Sequence, residues 1–115
     1  MKVAVIGSRC ADVEPNRILQ ELPEECTCII SGGARGVDAA ASRCAREYGF
    51  RLEEIPPDYD TYGRQAPLVR NKEIVRRADY VLAFWDYRSS GTRNTILECL
   101  KKRKRFKIIL VTKSV

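Results

Sequence analysis

Short apolar runs alternate along this chain with stretches in which apolar residues recur at helical spacing. Five runs read as strands: Val3–Ile6, Thr27–Ile30, Arg51–Ile55, Tyr80–Trp85 and Lys107–Val111. The first, fourth and fifth are nearly continuous in Val, Ile, Leu and aromatic residues, the pattern of strands covered on both faces. Four helical stretches lie between them. The clearest carries Val37, Ala40, Ala41, Cys44, Ala45 and Tyr48 on one face, and Gly49 supplies its stop. Another spans about Asp12 to Leu22, with Pro15 in its first turn. A third runs from about Pro67 to Arg77, and a fourth, about Thr92 to Lys104, carries Ile96, Leu97, Cys99 and Leu100 toward the sheet.

Strands interleaved with helices in this way predict an α/β fold. The expectation is a single Rossmann-like domain over residues 1–115: a three-layer sandwich around a five-stranded parallel sheet, with right-handed crossovers and strand order 3-2-1-4-5. Ligands of such sheets bind beyond the carboxyl ends of the strands. The loops that project there are Gly7-Ser8-Arg9, Ser31 to Gly36, Pro56 to Ala66, and Asp86 to Thr92. They carry Arg9, Arg35, Arg64 and Arg88, with Arg70 and Arg93 just inside the following helices.

The richest of these loops is Ser31-Gly32-Gly33-Ala34-Arg35-Gly36-Val37-Asp38, which follows an apolar run and opens a helix. Its three glycines let the backbone approach a ligand. The helix start offers unpaired N–H groups and a positive dipole end, and Arg35 adds a charged fork. These are the parts of a phosphate cradle. The candidate ligand-binding residues are Gly7, Ser8, Arg9, Gly32, Gly33, Ala34, Arg35, Gly36, Asp38, Arg70, Asn71, Gly91, Thr92, Arg93 and Asn94. Structural roles stand beside these functional ones. A tight turn accounts for Gly7–Arg9, a helix cap for Thr92, and a solvated face or ion pair for Arg70-Asn71. Asp38 could receive a ribose hydroxyl or brace its own loop, and Trp85 with Tyr87 could flank a base or pack inward.

Composition narrows the chemistry. No apolar run approaches the ~20 residues that span a membrane, and the N-terminus reads as a first strand rather than a signal peptide. Five cysteines, no Cys-x-x-Cys pair and no histidine argue against a disulfide framework or a zinc site and fit reduced thiols in a cytoplasmic protein. No metal and no cofactor is expected. The formal net charge is +6, but Lys101–Lys107 alone holds six basic residues and no acidic one. Without that run the chain is balanced. The run is either the basic end of a helix, complementing its dipole, or a contact for nucleic acid or an acidic partner.

The ordered set Gly7-Ser8-Arg9, Ser31–Asp38, Tyr62-Gly63, Arg70-Asn71 with Ile74, Ala78-Asp79 and Gly91–Asn94 resembles the SLOG superfamily. That group includes bacterial DprA (SMF) proteins, the LOG-type phosphoribohydrolases and a small YspA-like branch, to which the chain looks most similar. The resemblance covers nearly the whole chain. It implies binding of a nucleotide, a nucleotide sugar or an ADP-ribose-like molecule. LOG-type enzymes place a glutamate three residues after the Gly-Thr threonine; here that position holds Thr95, and Glu98 lies one turn further. Cleavage of a base–ribose bond would want a carboxylate, for which Asp38 and Glu98 are the catalytic candidates. DprA-like proteins use the same glycine loops to hold single-stranded DNA.

Three readings follow. The main one is binding or sensing of a nucleotide-like small molecule at the carboxyl edge. The alternatives are a phosphoribohydrolase-like enzyme and a DprA-like binder of single-stranded nucleic acid. Helix faces not needed for the core could also support a homodimer.

Overall fold

The computed structural model describes residues 1–112. Its elements are β1 (Lys2–Gly7), α1 (Pro15–Glu21), β2 (Cys28–Ser31), α2 (Val37–Tyr48), β3 (Arg51–Glu54), α3 (Tyr59–Tyr62), a 3-10 turn (Gly63–Gln65), α4 (Ala66–Arg77), β4 (Tyr80–Trp85), α5 (Ser90–Lys101) and β5 (Phe106–Leu110). The five strands form one parallel sheet in the order β3-β2-β1-β4-β5, as the sequence pattern predicts.

Alternation along β1 builds the two sides of the core. Val3 and Val5 point to one face and join Ile18 of α1 with Val37, Ala41 and Cys44 of α2. Ala4 and Ile6 point to the other and join Ile74 and Val75 of α4 with Ile96 and Cys99 of α5. The central strands β1 and β4 are buried on both faces, which is why they read as continuous apolar runs. Cys26, Cys28, Cys44 and Cys99 are packed as small apolar side chains, and burial pushes the Cys44 and Cys99 thiols up to about 11.

Several boundaries differ from the sequence reading. Helix α1 starts at Pro15 rather than Asp12, because Glu14 holds an extended backbone. The stretch read as a loop before α4 contains α3, capped by the Asp58 carboxylate accepting from the Thr61 N–H at 3.1 Å. Helix α5 begins at Ser90 and stops at Lys101, and Arg103 then turns left-handed at φ 52°. Only Lys101 of the basic run therefore sits in a last helical turn. The α5 faces differ too. Thr92, Thr95, Ile96 and Cys99 are buried, whereas Leu97 and Leu100 are 45% and 58% exposed. Among the described residues no helix is long and apolar enough to cross a membrane.

Candidate functional site

Strand order reverses between β1 and β4, and the crevice beyond their carboxyl ends is where the glycine loops meet. Gly7 must be glycine at this seam: a Cβ there would lie 2.3 Å from the Phe84 carbonyl oxygen and 2.8 Å from Val37 Cγ2. The Ser8 N–H donates to the Phe84 carbonyl at 3.2 Å, and the buried Ser8 hydroxyl donates to Asp86 Oδ2 at 3.0 Å. Asp86 Oδ1 accepts from the Arg88 and Ser89 amides at 2.9 and 2.8 Å. Those backbone bonds, then the serine, hold the Asp86 carboxyl below its ordinary range. Asp86 thus ties the β1 loop to the start of α5.

The Ser31–Asp38 loop is folded largely on itself. Gly36 has φ 72°, and its N–H-bearing turn lets Val37 N–H donate to the Ser8 carbonyl at 3.1 Å. Gly33 N–H donates to Ser31 Oγ at 3.2 Å, and Ala34 N–H to Asp38 Oδ2 at 3.2 Å. Three of the amides expected to face a ligand are therefore taken by the protein. The positive character of the site rests on guanidinium groups more than on a free helix end.

Asp38 is buried at the start of α2. Burial raises its carboxyl from 3.8 to about 6, against the Ala34 N–H and the nearby Arg70 and Arg9 charges. The folded state therefore holds its proton more tightly than the unfolded chain, and this contribution to stability falls as pH rises from about 4 through about 6. In urea titrations Asp38→Asn, which keeps an acceptor for Ala34, is expected to flatten that pH dependence, worth about 3 kcal/mol. An unchanged slope would remove Asp38 as its source.

Arg70 and Asn71 bind the layers together. Arg70 Nη1 donates to the Gly32 carbonyl at 2.7 Å, and Nε to Asn71 Oδ1 at 3.1 Å. Asn71 Nδ2 donates to Asn94 Oδ1 at 3.1 Å, linking α4 to α5. Thr92 is buried, with its hydroxyl donating to Ser89 Oγ at 3.1 Å, and the Thr95 hydroxyl donates to the Gly91 carbonyl at 3.1 Å. Trp85 Nε1 donates to the Ser89 carbonyl at 3.0 Å, with the exposed Tyr87 ring 4.7 Å from its own.

Two cavities open on this edge. The larger, about 910 Å³, brings together Gly7, Ser8, Arg9, Ala34, Asp38, Arg70, Asn71 and Gly91–Asn94. Arg64 and Arg88 also line it, and among the described residues its carboxylates are Asp38 and Asp86. The smaller, about 490 Å³, is lined by Gly32, Gly33 and Arg35, and shares Arg9, Ala34 and Arg70 with the first. Gly36 lines neither, acting through the backbone. Glu98 lines neither: it is buried on α5 with Lys101 Nζ 3.7 Å away, whereas Thr95 does reach the larger cavity. Sequence reasoning missed the apolar wall of Pro67, Leu68 and Leu97, and the Pro56-Pro57 wall of the smaller cavity. The proline pair was the one legible signal for the latter. Among the described residues no three His, Cys, Asp or Glu side chains are grouped to hold a metal ion.

The fold has solved counterparts. The DNA-processing protein A (DprA) of Streptococcus pneumoniae superposes with a TM-score of 0.76 at 21% identity, over 93% of this chain and 49% of that one. The chain thus shares its α/β fold with about half of that protein. A DprA from Helicobacter pylori, whose structure is described for its single-stranded DNA binding mode, gives 0.72 at 22% identity, over 94% of this chain and 64% of that one. The chain thus spans about half to two thirds of the length of these DprA proteins. A family model described as DNA recombination-mediator protein A matches residues 1–52, which hold β1, α1, β2, α2 and the first two glycine loops. No curated protein matches the chain in sequence.

Proposed function

We propose that the carboxyl edge of the sheet binds the phosphate backbone of single-stranded nucleic acid, in the manner of a DprA-like SLOG domain. The observation that carries this reading is the charge balance of the larger cavity. Arg9, Arg64, Arg70, Arg88 and Arg93 line it against two carboxylates, both of which accept hydrogen bonds from loop groups. Exposed Tyr59 and Tyr62 of α3 lie in the connection from β3 to α4 and exposed Tyr87 in the loop after β4, and aromatic rings beside a basic groove suit stacked, unpaired bases. The H. pylori relative's described binding of single-stranded DNA supports the same assignment.

Fluorescence anisotropy with a single-stranded oligonucleotide, repeated across salt concentrations, tests it. Binding is expected to weaken with salt, by a slope of roughly −0.7 per phosphate engaged. Arg9→Ala is expected to lose about tenfold or more in affinity. Lys102→Glu, at the opposite pole of the sheet, should change affinity far less. Salt-insensitive binding, or none, would sink the reading.

A second reading, a nucleotide-like small molecule, is favoured by one observation: Asp38 gives the larger cavity a buried carboxylate able to accept a hydroxyl. It predicts that mononucleotides, NAD or ADP-ribose raise the unfolding temperature while oligonucleotides do not.

A further inference from the structure

At one end of the sheet, β5 pairs among the described residues with β4 alone. Val81 N–H donates to the Arg105 carbonyl, and Val111 N–H to the Trp85 carbonyl. A parallel ladder repeats every second residue, so the N–H and C=O groups of Phe106, Ile108 and Leu110 point outward from the sheet. The register sets Ile108 beside Ala83 and Leu110 beside Trp85, on the face that α5 covers. There Ile108 is 37% and Leu110 62% exposed.

We propose that this open edge binds an extended, acidic segment of a protein partner, which adds to β5 as a further strand. Proteins usually blunt such edges with lysine or proline. The lysine on this strand, Lys107, does not serve: its ammonium lies 2.7 Å from Glu21 Oε2 of α1, on the opposite face. The strand therefore presents unpaired backbone groups and alternate apolar side chains together, the two requirements of strand addition.

Charge selects the occupant. No acidic residue occurs from Cys99 to Val115. Lys102, Arg103 and Arg105, at the amino end of β5, make no ion pair among the described residues. A second copy of the chain would bring the same positive turn against its like. A nucleic acid would neutralise the turn but supply neither a β-strand backbone nor apolar side chains. An acidic peptide with apolar residues at alternate positions answers all three features. This assigns a use to the basic run that the carboxyl-edge site leaves unused.

The test is an array of synthetic peptides with valine, isoleucine or tyrosine at alternate positions and aspartates at one end. Composition-matched scrambles and lysine-ended versions serve as controls. The aspartate-ended alternating peptides are expected to bind about tenfold more tightly than either control. They should also slow hydrogen exchange at the Ile108 and Leu110 amides. Ile108→Pro removes an outward N–H that the β4 ladder does not use, and should weaken peptide binding. Should that variant fold poorly, Lys102→Glu with Arg105→Glu carries the same expectation by charge. Equal binding of scrambled peptides, or unchanged exchange at those amides, overturns the proposal. So does the same protection arising from self-association at rising protein concentration, or from an added oligonucleotide.

Discussion

Gly36→Ala is expected to destabilise the protein by roughly 2–5 kcal/mol and to disassemble the ligand edge. Two separate costs combine at this position. Its φ of 72° lies in the left-handed region, which a side chain disfavours. A Cβ would also stand 2.4 Å from the Ser8 carbonyl oxygen and 2.6 Å from that of Arg9. Both are backbone atoms, so relief requires moving the β1 loop away from α2 and breaking the Val37–Ser8 bond. Two other glycines serve as controls. Gly63 has φ 56° but open space around it, so Gly63→Ala should carry the strain alone, about 1 kcal/mol. Gly91 lies in the first turn of α5 with nothing near its Cβ position, and Gly91→Ala should be neutral or stabilising by up to about 1 kcal/mol. Urea unfolding of the three variants checks the order. A Gly36→Ala protein as stable as Gly63→Ala would show that the loop is not packed against β1.

Arg70→Ala is expected to cost roughly 2–4 kcal/mol of stability as well as ligand affinity. Its guanidinium is half-buried and joins α4 to the Gly32 carbonyl at the end of β2. Burial lowers its pKa, and the Asp38 carboxylate opposes that shift. Truncation leaves a carbonyl without its charged donor and removes positive charge beside Asp38. The Asp38 carboxyl should then rise further above about 6, moving the pH window of stability upward. Arg70→Lys should rescue little, because one ammonium cannot reproduce the planar fork that reaches Gly32 and Asn71 together. Unfolding across pH 4 to 8 reads both effects, and an Arg70→Ala protein of native stability with an unmoved pH profile would contradict this account.

The same residue shows where reading a sequence stops. As a sequence feature Arg70 is a cation near a phosphate-type loop; in the fold it is first a clamp between layers. Asn71 is likewise a bridge to Asn94, and Asp38 a brace on Ala34. None of these partners is close in sequence to the group it holds, except Asp38, whose loop-bracing role was legible because both ends lie within one turn.

Strand and helix alternation, the parallel sheet with order 3-2-1-4-5, and the gathering of the glycine loops at one edge were determined by the sequence alone. The alternation follows from local properties, the apolar content of doubly covered strands and the helical period, and the sheet order and shared edge from the crossover rules that such an alternation obeys. Tertiary structure decided which groups remain free to act. Val37 N–H is occupied because the β1 loop brings Ser8 to it, and Glu98 is outside the cavity because α5 turns that face inward against its neighbours. Thr92 and Thr95 are buried while Leu97 and Leu100 stand exposed, since the placement of α5 against α4 and the sheet edge sets its inner face. A side chain's type and spacing are written locally; its partner is set by how distant segments pack.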